Sequence, residues 1–138
     1  MITKYLRYKV GNELVRLPLL SVRLGCNGKH TIVWALIDSG AELCVFNSQI
    51  AELLNVDVRS GTLLSLGGLV DGSELPSWLH QINLTVKELG SIDLRVAFTD
   101  LTVPGMCILG QKGFFDNFQV RFSRYRDEIE IWPKGTTP

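Results

Sequence analysis

The sequence has no excess of either charge and no long hydrophobic run. Its 138 residues include 14 Lys and Arg against 14 Asp and Glu, so the formal net charge is zero. A nucleic-acid-binding domain would normally be basic, and this balance argues against a nucleic-acid partner. The longest apolar run, Ile32–Ile37, has the length of a strand, far below the roughly 18 residues that a membrane-spanning helix needs. We therefore expect no nucleic acid and no membrane segment.

Cysteine and histidine are also scarce. The three cysteines are Cys26, Cys44 and Cys107, and no two form a Cys-x-x-Cys pair, which argues against a disulfide framework or a four-ligand zinc site. His30 and His80 lie far apart without a third ligand at metal spacing, so we expect no metal and no cofactor. The N-terminal residues lack the apolar segment of a secretory signal. These features predict a reduced, cytoplasmic protein, although a chain trimmed of a signal or anchor would have the same composition.

Short apolar segments separated by turn residues dominate the chain. Hydrophobic residues make up 46% of it, which excludes disorder. The charged fraction of 20% is low for a small domain, and predicts that a partner covers some apolar surface. Asn27-Gly28 is typical of a hairpin turn. The β-branched and aromatic run Thr31–Ile37 predicts a strand that is buried on both faces, and Asn47 or Ser48 can begin one short helix.

Asp38 is the first candidate for chemistry. It follows the apolar run Ile32–Ile37 and precedes Ser39, Gly40 and Ala41. A carboxylate at the end of a buried strand is costly to ionise unless it is hydrogen bonded. Gly40 lets backbone N–H groups approach it, and Ser39 adds a hydroxyl. Such a rigid, partly desolvated carboxylate suits acid–base catalysis, although an Asp-Ser-Gly tripeptide taken alone is more often a plain turn.

Three segments, in this order, resemble those of aspartic proteases. Trp34–Glu42 resembles their active-site motif, in which two apolar residues precede Asp, Thr or Ser, Gly, and Ala or Ser. The glycine-rich segment Leu66–Gly72 stands where a flap would be, and Cys107–Gly110 resembles the second element, two apolar residues and Gly. The resemblance covers nearly the whole chain. Because the chain is short and has one Asp motif, it is similar to the retropepsin branch, the retroviral-type proteases.

This resemblance implies an all-β fold, a small closed or half-closed barrel with one or two short helices, over residues 1–133, followed by a loose tail at 134–138. It also implies a homodimer. Two carboxylates in contact cannot both ionise and instead share one proton. A two-fold axis between two copies of Asp38 would supply such a pair from one gene. The implied function is an aspartic endopeptidase that acts on a peptide or protein substrate.

The resemblance assigns roles to matching positions. Asp38 would activate water, Ser39 would hydrogen-bond across the two-fold axis, and Gly40 would offer its carbonyl to the substrate. Ser65–Ser73 would be a mobile flap that closes over bound peptide. The implied substrate-binding residues are Ala41, Glu42, Gly67, Gly68 and Leu69. The implied structural supports of the site are Ile108, Leu109 and Gly110.

Two positions depart from the family pattern. Glu42 stands where the family usually has an Asp that binds the substrate main chain. Gln111 stands where retroviral enzymes often have an Arg that ties the fold together, so that link would be absent or replaced. On the sequence alone two alternatives stay open. One is a catalytically silent domain of the same fold that serves dimerisation or peptide binding, and the other is an unrelated small β-barrel binding protein.

Overall fold

Strands make up most of the protein. The computed structural model describes residues 1–70, 73–100 and 107–136, with the backbone alone for residues 68–70 and 73–74. The strands within these ranges are β1 Ile2–Thr3, β2 Leu6–Val10, β3 Glu13–Leu17, β4 Leu19–Cys26, β5 Lys29–Ile37, β6 Val45–Asn47, β7 Thr62–Val70, β8 Ser73–Val86, β9 Gly90–Thr99, β10 Ile108–Leu109, β11 Phe118–Ser123 and β12 Glu128–Pro133. The prediction of an all-β fold is confirmed.

The helical segments are short. Helix α1 spans Ser48–Leu53 and is capped by Asn47, whose side chain accepts a hydrogen bond of 2.8 Å from the backbone N–H of Gln49. A helical turn at Gln111–Phe115 departs from helical backbone angles at Lys112 and Gly113. Single 3₁₀ turns lie at Val58–Ser60 and Arg124–Arg126. In the ranges that the structure describes, no helix is long and apolar enough to cross a membrane.

Six of the described strands form a closed barrel in the order β4-β5-β10-β6-β9-β8, and pairing of β4 with β8 closes it. Strand β7 pairs with β8 alone and extends it as a hairpin. Most neighbours are antiparallel, but β10 runs parallel to β5 and β6 runs parallel to β9. Because parallel strands end at the same edge of a sheet, the residues that follow β5 and β10 meet there. These residues are Asp38 and Gly110.

Apolar side chains fill the barrel interior. Along β4, every second residue points inward, and Leu20, Val22 and Leu24 are buried. The aromatic rings of Phe46 and Phe98 lie 6.3 Å apart within this core. The burial of these side chains is the main stabilising term for a domain of this size.

The prediction that Thr31–Ile37 is buried on both faces is wrong. Ile32 is 67% exposed and Trp34 is 54% exposed, whereas Ala35 and Ile37 are buried. The run lies in β5, a strand of the barrel wall, and a barrel strand alternates between interior and exterior. The outward positions therefore carry apolar residues that solvent reaches in the single chain.

The two ends of the chain meet outside the barrel. Strand β1 pairs with β12, which pairs with β11, and β2 and β3 form a separate hairpin. Asp127, which directly precedes β12, links this three-stranded sheet to the β2–β3 hairpin. Arg7 Nη2 lies 2.7 Å from its Oδ2 and Arg16 Nη1 lies 3.6 Å from its Oδ1. The domain boundary at residue 133 stays a prediction.

Candidate active site

Asp38 begins a short loop directly after β5. Its backbone N–H donates to the Leu109 carbonyl at 3.0 Å, and its own carbonyl accepts from Ala41 N at 3.2 Å. The carboxylate is also fixed, because Gly40 N donates to Asp38 Oδ1 at 2.8 Å. The side chain is half-buried. The loop therefore holds the carboxylate in one orientation, as acid–base chemistry requires.

The segment Cys107–Lys112 runs alongside this loop. Backbone hydrogen bonds join this segment to the end of β5 and to the Asp38 loop, from Leu36 as far as Glu42. Together these bonds form a continuous ladder. The bonds are Leu36 N to Cys107 O at 2.8 Å, Asp38 N to Leu109 O at 3.0 Å, Gln111 N to Ala41 O at 2.8 Å and Lys112 N to Glu42 O at 2.8 Å.

Gly110 lies at the closest approach in this ladder. Its N–H donates to Cys44 Sγ at 3.3 Å, and Cys44 Sγ lies 3.5 Å from the Lys112 carbonyl. A Cβ on residue 110 would lie 2.6 Å from the carbonyl carbon of Leu43 and 2.8 Å from the carbonyl oxygen of Ala41. Both are backbone atoms that cannot move aside, so glycine is required here. Burial raises the pKa of the Cys44 thiol, which keeps the sulfur neutral.

Gln111 links the helical turn after β10 to the Asp38 loop. Its side-chain Nε2 donates to the carbonyl oxygen of Ser39 at 2.6 Å. The bond joins the helical turn to the residue next to Asp38. A neutral amide therefore adds a side-chain hydrogen bond to the backbone ladder between the Asp38 loop and the segment Cys107–Lys112.

A cleft of 520 Å³ lies in front of the Asp38 loop. Its wall is apolar where β6, β7 and β10 contribute side chains, and polar where the loop contributes Asp38 and Glu42. This combination suits an extended peptide, because main-chain amides need polar partners while side chains need apolar surface. The cleft-lining residues are Asp38, Gly40, Ala41, Glu42, Leu43, Val45, Leu64, Ser65, Leu66, Gly67 and Ile108.

The predicted site residues are placed in two groups. Asp38, Gly40, Ala41, Glu42, Gly67 and Ile108 line the cleft. Ser39, Leu109 and Gly110 lie in the loop or its supporting ladder. Gly68 and Leu69 belong to β7, but only their backbone is described, and Asp71 and Gly72 of the predicted flap lie outside the described residues. The flap role of Ser65–Ser73 and the individual roles of the site residues stay predictions.

Glu42 faces a cation as well as the cleft. Lys112 Nζ lies 3.8 Å from Glu42 Oε1, and the two side chains are 68% and 70% exposed. An ion pair this exposed contributes little to stability. The Glu42 side chain therefore lines the cleft while most of it stays in contact with solvent.

Sequence reasoning missed three apolar residues of the cleft wall, Leu43, Val45 and Leu64. The signal for the first two was the apolar segment Leu43–Phe46, which lies close behind Asp38 in the sequence. Strand periodicity gave no signal, because the chain bends at Glu42 and Leu43 before β6 begins at Val45.

Residues 20–112 match the aspartyl protease family. The chain belongs to this family. The fold and the single Asp motif agree with its retropepsin-like members, and the predicted resemblance is confirmed. No curated protein sequence matches the chain.

Solved structures that share the fold include the following three. A retropepsin-like aspartic protease from Rickettsia conorii is 12% identical, with a TM-score of 0.63 over 95% of this chain and 98% of that one. EIAV protease complexed with the inhibitor HBY-793 is 22% identical, with a TM-score of 0.52 over 69% and 82%. The retroviral protease-like domain of Ddi1 from Leishmania major is 18% identical, with a TM-score of 0.52 over 88% and 99%. At these identities the structures support the fold and carry no assignment of activity.

We predict that Gly110→Ala destabilises the protein by about 2–3 kcal/mol, because the new methyl group meets fixed backbone atoms. Urea unfolding at matched protein concentration measures the change. Gly67→Ala is the control, since nothing lies within 4 Å of the position that its Cβ would take, and its free energy of unfolding is expected to change by less than about 0.5 kcal/mol. Equal effects of the two variants would contradict the close approach at Gly110.

Proposed function

We propose that the protein is an aspartic endopeptidase whose active form is a homodimer. The observation that supports this most is the placement of Asp38. Its carboxylate is half-buried, is held by the Gly40 N–H at 2.8 Å, and lies at the edge of a cleft with an apolar wall. A single carboxylate cannot both hold a proton and accept one, so a second copy of the chain is needed to complete the site.

The proposed mechanism uses one proton shared by Asp38 and the partner's Asp38. The ionised carboxylate accepts a proton from a water molecule, whose oxygen attacks the carbonyl carbon of the scissile bond. The protonated carboxylate donates to the carbonyl oxygen. When the tetrahedral diol collapses, the carboxylate that took the proton of water donates it to the amide nitrogen, the C–N bond breaks and the amine leaves. The other carboxylate, now ionised, accepts a proton from a diol hydroxyl, which gives the carboxylic acid product and restores the shared proton. The two carboxylates thus exchange roles through the cycle.

The cleft supports a peptide substrate with apolar side chains. Leu43, Val45 and Ile108 give an apolar wall beside the carboxylate. Leu64 and Leu66 of β7 line the same cleft from above the loop, which supports a covering role for the β7–β8 hairpin. Closure of that hairpin over a bound peptide would exclude water from the carboxylates and strengthen their electrostatic interactions.

We predict that Asp38→Asn lowers cleavage of a denatured protein substrate at pH 4–6 by at least about a thousandfold, because the amide cannot accept the proton of water. Asp57→Asn is the control: Asp57 is exposed and makes no side-chain capping bond. Circular dichroism and sedimentation check that the fold and assembly of both variants are unchanged. Wild-type activity in Asp38→Asn would contradict the proposal, because cleavage would then not depend on this carboxylate. Absence of cleavage by the unsubstituted protein would favour the catalytically silent alternative.

We predict that specific activity falls on dilution, because the site is complete in the dimer alone. Cleavage rates measured over a range of enzyme concentrations should follow the dimer fraction determined by sedimentation. Mixing inactive Asp38→Asn chains with wild-type chains should lower activity further, since mixed dimers lack one carboxylate. Robust cleavage at concentrations where the protein sediments as a monomer would contradict a shared site.

We predict that Gln111→Glu lowers kcat about tenfold with less than a twofold change in KM, because a carboxylate cannot donate to the Ser39 carbonyl that Gln111 Nε2 holds at 2.6 Å. Gln111→Lys keeps a donor of similar reach and should retain most of kcat. Urea unfolding shows whether stability changes equally in both variants. If Gln111→Glu kept wild-type kcat, the bond would have no role in positioning the loop.

A further inference from the structure

A second cleft, of 420 Å³, adjoins the cleft in front of Asp38, and Leu43 lines both of them. We call this second cleft the side cleft. Its walls come from β8, from β9 and from the helical turn Gln111–Phe115 with the two residues that follow it. Leu43 comes directly after Glu42, so the side cleft begins where the Asp38 loop ends. The proposed reaction gives its lining residues no role.

Tight packing fixes the shape of the side cleft at Gly113. A Cβ at this position would lie 2.6 Å from Leu94 Cδ1 and 3.1 Å from Leu94 Cβ, and the backbone φ of +93° disfavours other residues. Both backbone polar groups of Gly113 are bonded: its N–H donates to Asp116 Oδ2 at 3.0 Å, and its carbonyl accepts from Asn117 Nδ2 at 2.7 Å. The turn is thus held against β9 before a ligand binds, which lowers the entropy cost of binding.

The side cleft carries charges of both signs that do not pair with each other. In residues 1–70, 73–100 and 107–136, no ion pair joins its two cations to its two carboxylates. Each carboxylate instead accepts a hydrogen bond from another group, since Asp93 Oδ1 accepts from Asn83 Nδ2 at 3.0 Å and Asp116 Oδ2 accepts from the Gly113 N–H. The charged lining residues are Asp93, Arg95, Lys112 and Asp116.

The cations of the side cleft are available to a ligand. Within the part of the chain that the structure describes, the Arg95 guanidinium has no hydrogen-bond or ion-pair partner. Lys112 Nζ lies 3.8 Å from Glu42 Oε1, and both side chains are more than two-thirds exposed, so this pair is weak and easily exchanged. Free donors on two cations, beside carboxylates that already have a donor, favour an anionic group as the ligand.

Apolar surface lies beside these cations. Leu43 and Leu79 are half-buried and line the side cleft together with Leu94. A ligand that uses both kinds of surface combines a carboxylate with a longer, partly apolar chain, as a peptide does. An extended peptide advances about 3.3 Å per residue, so a few residues suffice to pass Leu43 from one cleft to the other.

We propose that the side cleft is an extended substrate site that binds an acidic side chain of the peptide whose scissile bond lies at Asp38. This inference rests on the proposed function, because the peptide in the first cleft delivers the acidic residue to the second. Arg95 pairs with the carboxylate of that residue, and Lys112 exchanges its exposed contact with Glu42 for the same group. The substrate class is thus a peptide with apolar residues at the scissile bond and a Glu or Asp a few residues away.

Paired peptides test the preference for an acidic residue. Each pair shares one apolar sequence at the scissile bond and carries either Glu or Gln at a single position, about two to five residues from that bond. At pH 6 the Glu of the peptide is ionised. At one position or more, kcat/KM should be about three- to fivefold higher for Glu than for Gln, as for other exposed charge pairs. The gain should lie in KM, because the contact is the same in the bound substrate and in the transition state.

Substitution of Arg95 identifies the group that recognises the carboxylate. Arg95→Gln should remove the difference between the Glu and Gln peptides, and Arg95→Glu should make a Lys peptide better than both. Arg23→Gln is the matched control, because Arg23 is an exposed residue of the barrel strand β4 that lines neither cleft. It should keep the preference for Glu. Circular dichroism checks the fold of each variant.

Binding measured without cleavage gives a second readout. Fluorescence anisotropy of labelled peptides, with Asp38→Asn as the protein, yields dissociation constants whether or not the wild-type protein is a protease. The Glu peptide should bind about three- to fivefold more tightly than the Gln peptide. Adding Arg95→Gln to Asp38→Asn should make the two dissociation constants equal.

The outcomes separate this inference from the proposed function. Cleavage that is equal for every Glu and Gln pair, or a preference for Glu that survives Arg95→Gln, would overturn the inference alone. A wild-type protein that cleaves no peptide but binds the Glu peptide more tightly through Arg95 would support the inference and contradict the proposed protease activity. Neither cleavage nor binding of any peptide would overturn both.

Discussion

The parallel pairing of β5 with β10 is the constraint on which the candidate site depends. It brings Asp38 and Gly110 to the same edge of the barrel and continues as a ladder of backbone hydrogen bonds as far as Glu42 and Lys112. A loop that carries a functional carboxylate would otherwise move with the freedom of a surface turn. Because its backbone is bonded to this ladder and the Gln111 side chain also bonds the Ser39 carbonyl, the carboxylate stays in a defined orientation.

The groups around the Asp38 loop add little charge beside the Asp38 carboxylate. Burial raises the pKa of Cys44, which contacts Gly110 beneath the loop, and raises the pKa of Cys107 to about 11. Both thiols are therefore protonated at neutral and acidic pH, and neither places a negative charge near Asp38. The ion pair between Glu42 and Lys112 is exposed, so solvent screens it. A shared proton between two Asp38 carboxylates would be governed mainly by the two carboxylates themselves.

Patterns of neighbouring residues predicted the strands, the turns and the Asp38 motif. They could not predict contacts between residues that lie far apart in the sequence. The apolar run that ends at Asp38 and the turn at Asn27-Gly28 follow from neighbouring residues. The exposure of Trp34 could not be predicted in this way, because a strand of a closed barrel and a strand buried on both faces have similar composition. The bond from Gln111 to Ser39 and the ion pair between Arg7 and Asp127 join residues far apart in sequence. No local periodicity encodes such partners.

The proposed symmetry has a consequence for substrate choice. In the proposed homodimer the two-fold axis repeats every wall of the cleft, so Leu43, Val45 and Ile108 would stand on both sides of the scissile bond. A peptide has a chain direction and no two-fold axis. The residues before and after the scissile bond would therefore meet identical apolar walls that run in opposite directions relative to the peptide chain. Apolar area buried on each side would then contribute comparably to binding. A symmetric homodimer should therefore favour peptides with apolar side chains flanking the bond on both sides, and would discriminate weakly between the order of those side chains.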